Sequence, residues 1–123
     1  MGAFLAGLNG GLLYNTWPDM NGNFLPSDIY ASDLYNKSSL YNPSVIQFYH
    51  RFIAYLVLSL VLILNYIFYK KGISFKSINI LNIAIIIQIF LGILTLITGV
   101  KIAYASLHQL GSILVLTSFI FII

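Results

Sequence analysis

Three runs of this chain carry no formal charge: Phe52–Tyr69, Ser77–Val100 and Ile102–Ile123. A helix rises about 1.5 Å per residue, so each run is close to or above the ~20 apolar residues that cross a ~30 Å hydrocarbon core. The pattern predicts membrane spans over residues 44–69, 77–98 and 103–123. Composition agrees, since 59% of the 123 residues are hydrophobic and only 7% charged, against roughly 25% charged in a soluble domain. A soluble globular domain and a disordered chain are therefore excluded. So is a conventional nucleic-acid binder: the net charge is +3, but six basic and three acidic residues are too few to build a phosphate-binding surface. There is no cysteine, which rules out disulfides, zinc–thiolate sites and iron–sulfur clusters within this chain.

The charges that remain fix an orientation. Lys70, Lys71 and Lys76 crowd one short loop, whereas Asp19, Asp28 and Asp33 share the 14–43 segment with a single lysine, Lys37. The positive-inside rule puts the 70–76 loop in the cytoplasm or the mitochondrial matrix, and the 14–43 segment and the turn at Lys101 on the other side. The localisation expected is a multi-pass protein of the bacterial cell inner membrane or the mitochondrial inner membrane. Aromatic residues at the borders (Tyr66, Phe68 and Tyr69; Phe48, Tyr49 and Tyr104) suit interfacial belts. Residues 1–13 are apolar but too short to cross, and read as the last three turns of a helix. Ala6 does not fit a myristoylation signal, and without a basic start or a small-residue cleavage site a secretory leader is not expected. With the apolar run Phe119–Ile123 at the other end, the expectation is a fragment of a longer protein or one product of a split gene. The 14–43 segment is turn-rich, with a short amphipathic helix expected from Ser27 (N-cap) to Tyr35.

His50 and His108 are the only histidines, and both fall inside predicted spans. An ionisable residue within a span is a functional hypothesis by default. A histidine near a helix end can also simply reach headgroups or hydrogen-bond a neighbouring helix. The pair narrows the choice. Each lies some six residues inside its span, so both sit ~9 Å below the same non-cytoplasmic surface. Their helices run in the same direction, and in an up-down four-helix bundle such helices are diagonal partners, roughly 11–14 Å apart. That spacing leaves room for a flat macrocycle between two imidazoles, with small residues Ala54, Gly111 and Ser112 on the histidine faces. Two neutral imidazoles saturate a haem iron and favour electron transfer over oxygen binding. Arg51, next to His50, is placed either to pair with a haem propionate or to snorkel to phosphate headgroups. Ala84, Gln88, Gly92 and Thr95 share one face of the middle span and read as a helix-packing seam. No nucleophile triad, phosphate loop, carboxylate pair or metal–carboxylate cluster is visible, and there is no glutamate.

Several stretches resemble haem A synthase in order along nearly the whole chain: Gly2–Gly11, Tyr14-Asn15-Thr16-Trp17-Pro18, Gln47-Phe48-Tyr49-His50-Arg51 with Ala54-Tyr55, Gln88 with Leu91–Leu96, and Leu107-His108-Gln109 with Gly111. The resemblance implies an all-α membrane protein, an eight-helix enzyme of two pseudo-symmetric four-helix halves. This chain corresponds to the C-terminal half: the end of one helix (1–13), an outer loop (14–43) and three further spans, a partial bundle with one helix truncated. It implies that His50 and His108 bind the iron of a haem b, while the whole enzyme oxidises a methyl group of haem O to the formyl group of haem A for cytochrome oxidase assembly. The fragment alone is then expected to bind haem without turnover. Implied partners are haem, the lipid bilayer, the N-terminal half of the same enzyme, and haem O synthase or a second copy; no nucleic acid is expected. The alternative from the same ligands is a cytochrome b-like membrane electron carrier with no catalysis of its own.

Overall fold

The computed structural model describes residues 1–72 and 76–122. Residues 73–75 of the lysine-rich loop and Ile123, the last residue of the third predicted span, lie outside the described residues. The described residues form α-helices and short 3-10 turns with no strand: α1 (Gly2–Gly7), α2 (Pro43–Lys71), α3 (Lys76–Ile97) and α4 (Ile102–Ile120). The chain is an all-α membrane protein, with three helices long and apolar enough to cross a bilayer.

Local chemistry explains the boundaries. At the start of α2 the Asn42 side chain accepts hydrogen bonds from the N–H groups of Ser44 and Val45, and Pro43 occupies the first helical position, where its missing N–H costs nothing. Gly72 closes the helix in the left-handed conformation (φ 62°), with Lys70 and Lys71 in the last turn facing the negative end of the helix dipole. At 29 residues, α2 is ~43 Å long, longer than a ~30 Å hydrocarbon core. The apolar start is not one helix of three turns. Asn9 takes a left-handed conformation (φ 51°), which ends α1 early and sends Gly10–Leu12 into a 3-10 turn.

α3 and α4 form a tight antiparallel pair, and α2 joins them through a small core in which buried Val61, Leu81 and Ile85 pack with Leu58, Ile89, Val115 and Ile122. Next to this core, Asn65 and Asn82 exchange side-chain hydrogen bonds in both directions at 2.8 Å, and Asn65 also donates to the Val61 carbonyl at 2.8 Å. Each amide satisfies the other, so the pair ties α2 to α3. Asn65→Leu or Asn82→Leu alone leaves the opposite amide unpaired, at an expected loss of roughly 1–2 kcal/mol. The double leucine variant should lose less than the sum of the two. Reversible unfolding in mixed micelles, arranged as a double-mutant cycle, measures the coupling, and additive losses would contradict the pairing.

The outer loop is folded rather than draped. Tyr14, Met20 and Ile29 are buried beneath it, and the Phe24 ring meets Phe48 of α2 edge-on, 6.0 Å between centroids. The expected helix from Ser27 to Tyr35 is replaced by a turn and a 3-10 segment over Ala31–Tyr35, which starts with the Tyr30 N–H donating to the Asp33 carboxylate at 2.8 Å. The reason is tertiary. Asp28 accepts from the Tyr14 hydroxyl at 2.5 Å and the Ser44 hydroxyl at 2.6 Å, and Ile29 points into the core, so neither residue is free to open a helix. Burial alone would raise the Asp28 pKa. The hydrogen bonds from Ser44, Tyr14 and the backbone outweigh it, hold the pKa below the ordinary carboxylate value, and keep the group ionised.

Candidate functional site

Both ends of the candidate site are set by the outer-loop end of the bundle. The Asn15 amide donates to the Gly11 carbonyl at 3.0 Å and the Leu96 carbonyl at 2.9 Å, joining the start of the loop to the C-terminal end of α3. The side chain of Val100, itself at φ 57°, packs over Gly11. The 14–43 segment and the turn before α4 therefore share one end of the molecule, as alternating spans require.

At that end α2 and α4 bring His50 and His108 together. The ring centroids are 6.2 Å apart and the ring planes nearly perpendicular, at 83°. Both side chains are half-buried. His50 also faces α1: a Cβ on Gly2 would stand 4.0 Å from its Cε1, an ordinary contact. His108 leans on α3, where its Nδ1 lies 3.2 Å from the main-chain oxygen of Gln88. Among the described residues there is no group of three or more His, Asp or Glu side chains able to hold a metal ion. A bare ion would want more protein ligands than this pair offers, whereas a haem brings four nitrogens of its own.

Other residues singled out in the sequence have different employment. Arg51 is engaged by the outer loop. Its guanidinium donates to the main-chain oxygens of Tyr14 (2.8 Å), Thr16 (2.9 Å) and Asp19 (2.6 Å), pinning the loop to α2. Gln47, one turn earlier and buried, donates to the same Tyr14 oxygen at 2.8 Å. Ala54 and Ser112 are exposed, and the Ser112 hydroxyl bonds back to the Gln109 carbonyl at 2.6 Å. Gly111 is buried against the Gln88 side chain of α3 instead of opening space beside a histidine. Gln88 and Gly92 do lie in the seam between α3 and α4, with the Gln88 amide donating to the His108 carbonyl at 3.0 Å. Sequence reasoning passed over Asn65 and Asn82, although two amides inside apolar runs, equally distant from the lysine loop, carry the same depth signal as the histidines.

The COX15-CtaA family, described as cytochrome oxidase assembly protein, matches residues 1–120. The chain is 58% identical over all 123 residues to the heme A synthase of Pelagibacter ubique (strain HTCC1062), of which it covers 37%. It is 41% identical over 117 residues, or 95% of its length, to that of Wolbachia pipientis wMel, covering 32% of the relative. Over 121 residues it is 40% identical to that of Rickettsia felis (strain ATCC VR-1525 / URRWXCal2), covering 35%. The chain thus spans about a third of the length of these curated relatives. No solved structure matches it.

Proposed function

Because the chain belongs to the COX15-CtaA family of cytochrome oxidase assembly proteins, we propose that it is the haem b-binding part of a heme A synthase, with His50 and His108 as the residues that would hold the iron. The complete enzyme, in this reading, oxidises a methyl group of haem O to the formyl group of haem A, and this part alone does not turn over. Haem b held between two imidazoles supplies one-electron transfer without an open position for oxygen. The names of the relatives favour a synthase over a free-standing cytochrome b-like carrier.

One observation carries the ligand assignment. The only two histidines of the chain, on different helices, meet at one end of the bundle, and neutral imidazoles are the side chains that would hold a haem iron. The rings of His50 and His108 are 6.2 Å apart.

The role of this chain's residues is then to hold and orient. α2 and α4 supply one imidazole each, α3 backs His108, and Arg51, Gln47 and Asn15 anchor the loop at the outer end. The test is a reduced-minus-oxidised visible spectrum of the detergent-purified protein supplied with haem. A low-spin b-type signal is expected. A folded protein that stays colourless would overturn the assignment.

A further inference from the structure

We infer that Gln88 and Gly92 of α3 are positioning residues for His108, selecting the nitrogen that this ring offers and the direction in which it offers it; the inference rests on the ligand assignment above.

The ring of His108 fills the place of a side chain on α3. A Cβ built on Gly92 would stand 2.9 Å from the ring Cε1, 3.4 Å from Nδ1 and 3.5 Å from Nε2, so no larger residue fits without moving the imidazole. The seat also sets the proton. Nδ1 faces the main-chain oxygen of Gln88 at 3.2 Å, and a carbonyl can only accept, so Nδ1 carries the hydrogen and the neutral ring keeps its lone pair on Nε2. A hydrogen bond of this kind raises the basicity of the ligating nitrogen.

The contact is reciprocal. The Gln88 amide nitrogen donates to the main-chain oxygen of His108 at 3.0 Å. Its Oε1 is buried without a hydrogen-bond partner and pressed onto Gly111, three residues beyond His108, where a Cβ would overlap it. α4 thus places a ring in a notch at Gly92, and α3 places an amide in a notch at Gly111. An unpartnered buried acceptor is unfavourable, and it is tolerated here where the amide's other end fixes the backbone of His108. His50 is held differently: among the described residues no protein group hydrogen-bonds its ring. One imidazole is preset and the other is left to settle against the iron.

The test uses the full-length protein with haem and the variants Gly92→Ala, Gln88→Met and Gly7→Ala. Beyond its chain neighbours and its own helix backbone, a Cβ built on Gly7 meets nothing within 4 Å, so its variant is the control for glycine replacement itself. Gly92→Ala should keep the helix content of the haem-free protein, weaken haem binding about 10–100-fold, convert low-spin signal to high-spin, and raise the midpoint potential as the Nδ1 hydrogen bond is lost. Gln88→Met keeps the volume but removes the donor, and should shift affinity in the same direction by a smaller factor. Gly7→Ala should match the parent protein. A parent protein without a low-spin signal would overturn the haem assignment itself. A normal parent with unchanged spectrum and potential in Gly92→Ala would overturn only the positioning role. If Gly92→Ala does not fold, Gln88→Met decides, and an unaltered affinity there sinks the inference.

Discussion

Replacing either histidine with alanine should abolish the low-spin b-type spectrum of the haem-loaded protein, and the two variants should respond differently to added imidazole. With one ligand gone, iron is left five-coordinate and the affinity falls by more than the 10–100-fold typical of losing a supporting group. His108→Ala empties a preformed seat bounded by Gly92 and the main-chain oxygen of Gln88, which offers a free imidazole the same Nδ1–H acceptor as the native ring. Exogenous imidazole at millimolar concentration should therefore restore the low-spin spectrum of His108→Ala well. It should restore His50→Ala poorly, since among the described residues nothing there hydrogen-bonds the ring. Circular dichroism checks that both variants remain helical. A low-spin spectrum retained in both variants would show that the iron, if bound, has other ligands.

The fold class is legible because crossing a bilayer is a length-and-charge constraint, and three charge-free runs satisfy it with little help from tertiary structure. The histidine pair is legible for a related reason: equal depth on parallel helices can be computed from residue counts. The same counting applies to Asn65 and Asn82, six residues from Lys71 and Lys76 respectively, which join α2 to α3. What the sequence hides is every interaction whose partner is main chain. Arg51 looks like any border arginine, because its acceptors are carbonyls of Tyr14, Thr16 and Asp19, and a carbonyl has no residue type. Gly111 looks like clearance for a macrocycle and is a notch for Gln88. Ser27 carries a good N-cap signal, overridden when Asp28 is drawn to Tyr14 and Ser44. Local propensity loses there to contacts made 14 and 16 residues away.

Arg51→Ala should release the outer loop whether or not haem is bound. The guanidinium makes three hydrogen bonds to main-chain oxygens spread over residues 14–19, at 2.6–2.9 Å, so one side chain holds the strand of loop that leads away from α1. Hydrogen bonds from a charged donor contribute about 1.5–3 kcal/mol each net, and water can replace part of them at this half-buried border, leaving an expected loss of roughly 2–4 kcal/mol in loop anchoring. At 1.4 kcal/mol per tenfold that is about a 30- to 700-fold rise in local opening. Amide hydrogen exchange over residues 14–28 reads it directly, with α3 and α4 as the internal reference that should not change. Arg51→Lys should recover only part of the protection, because one ammonium cannot span three acceptors held by a planar fork. The propionate alternative makes the opposite forecast: haem affinity falls while loop exchange in the haem-free protein is unaltered. Loss of loop protection without haem would place Arg51 in the scaffold at the outer end of the site.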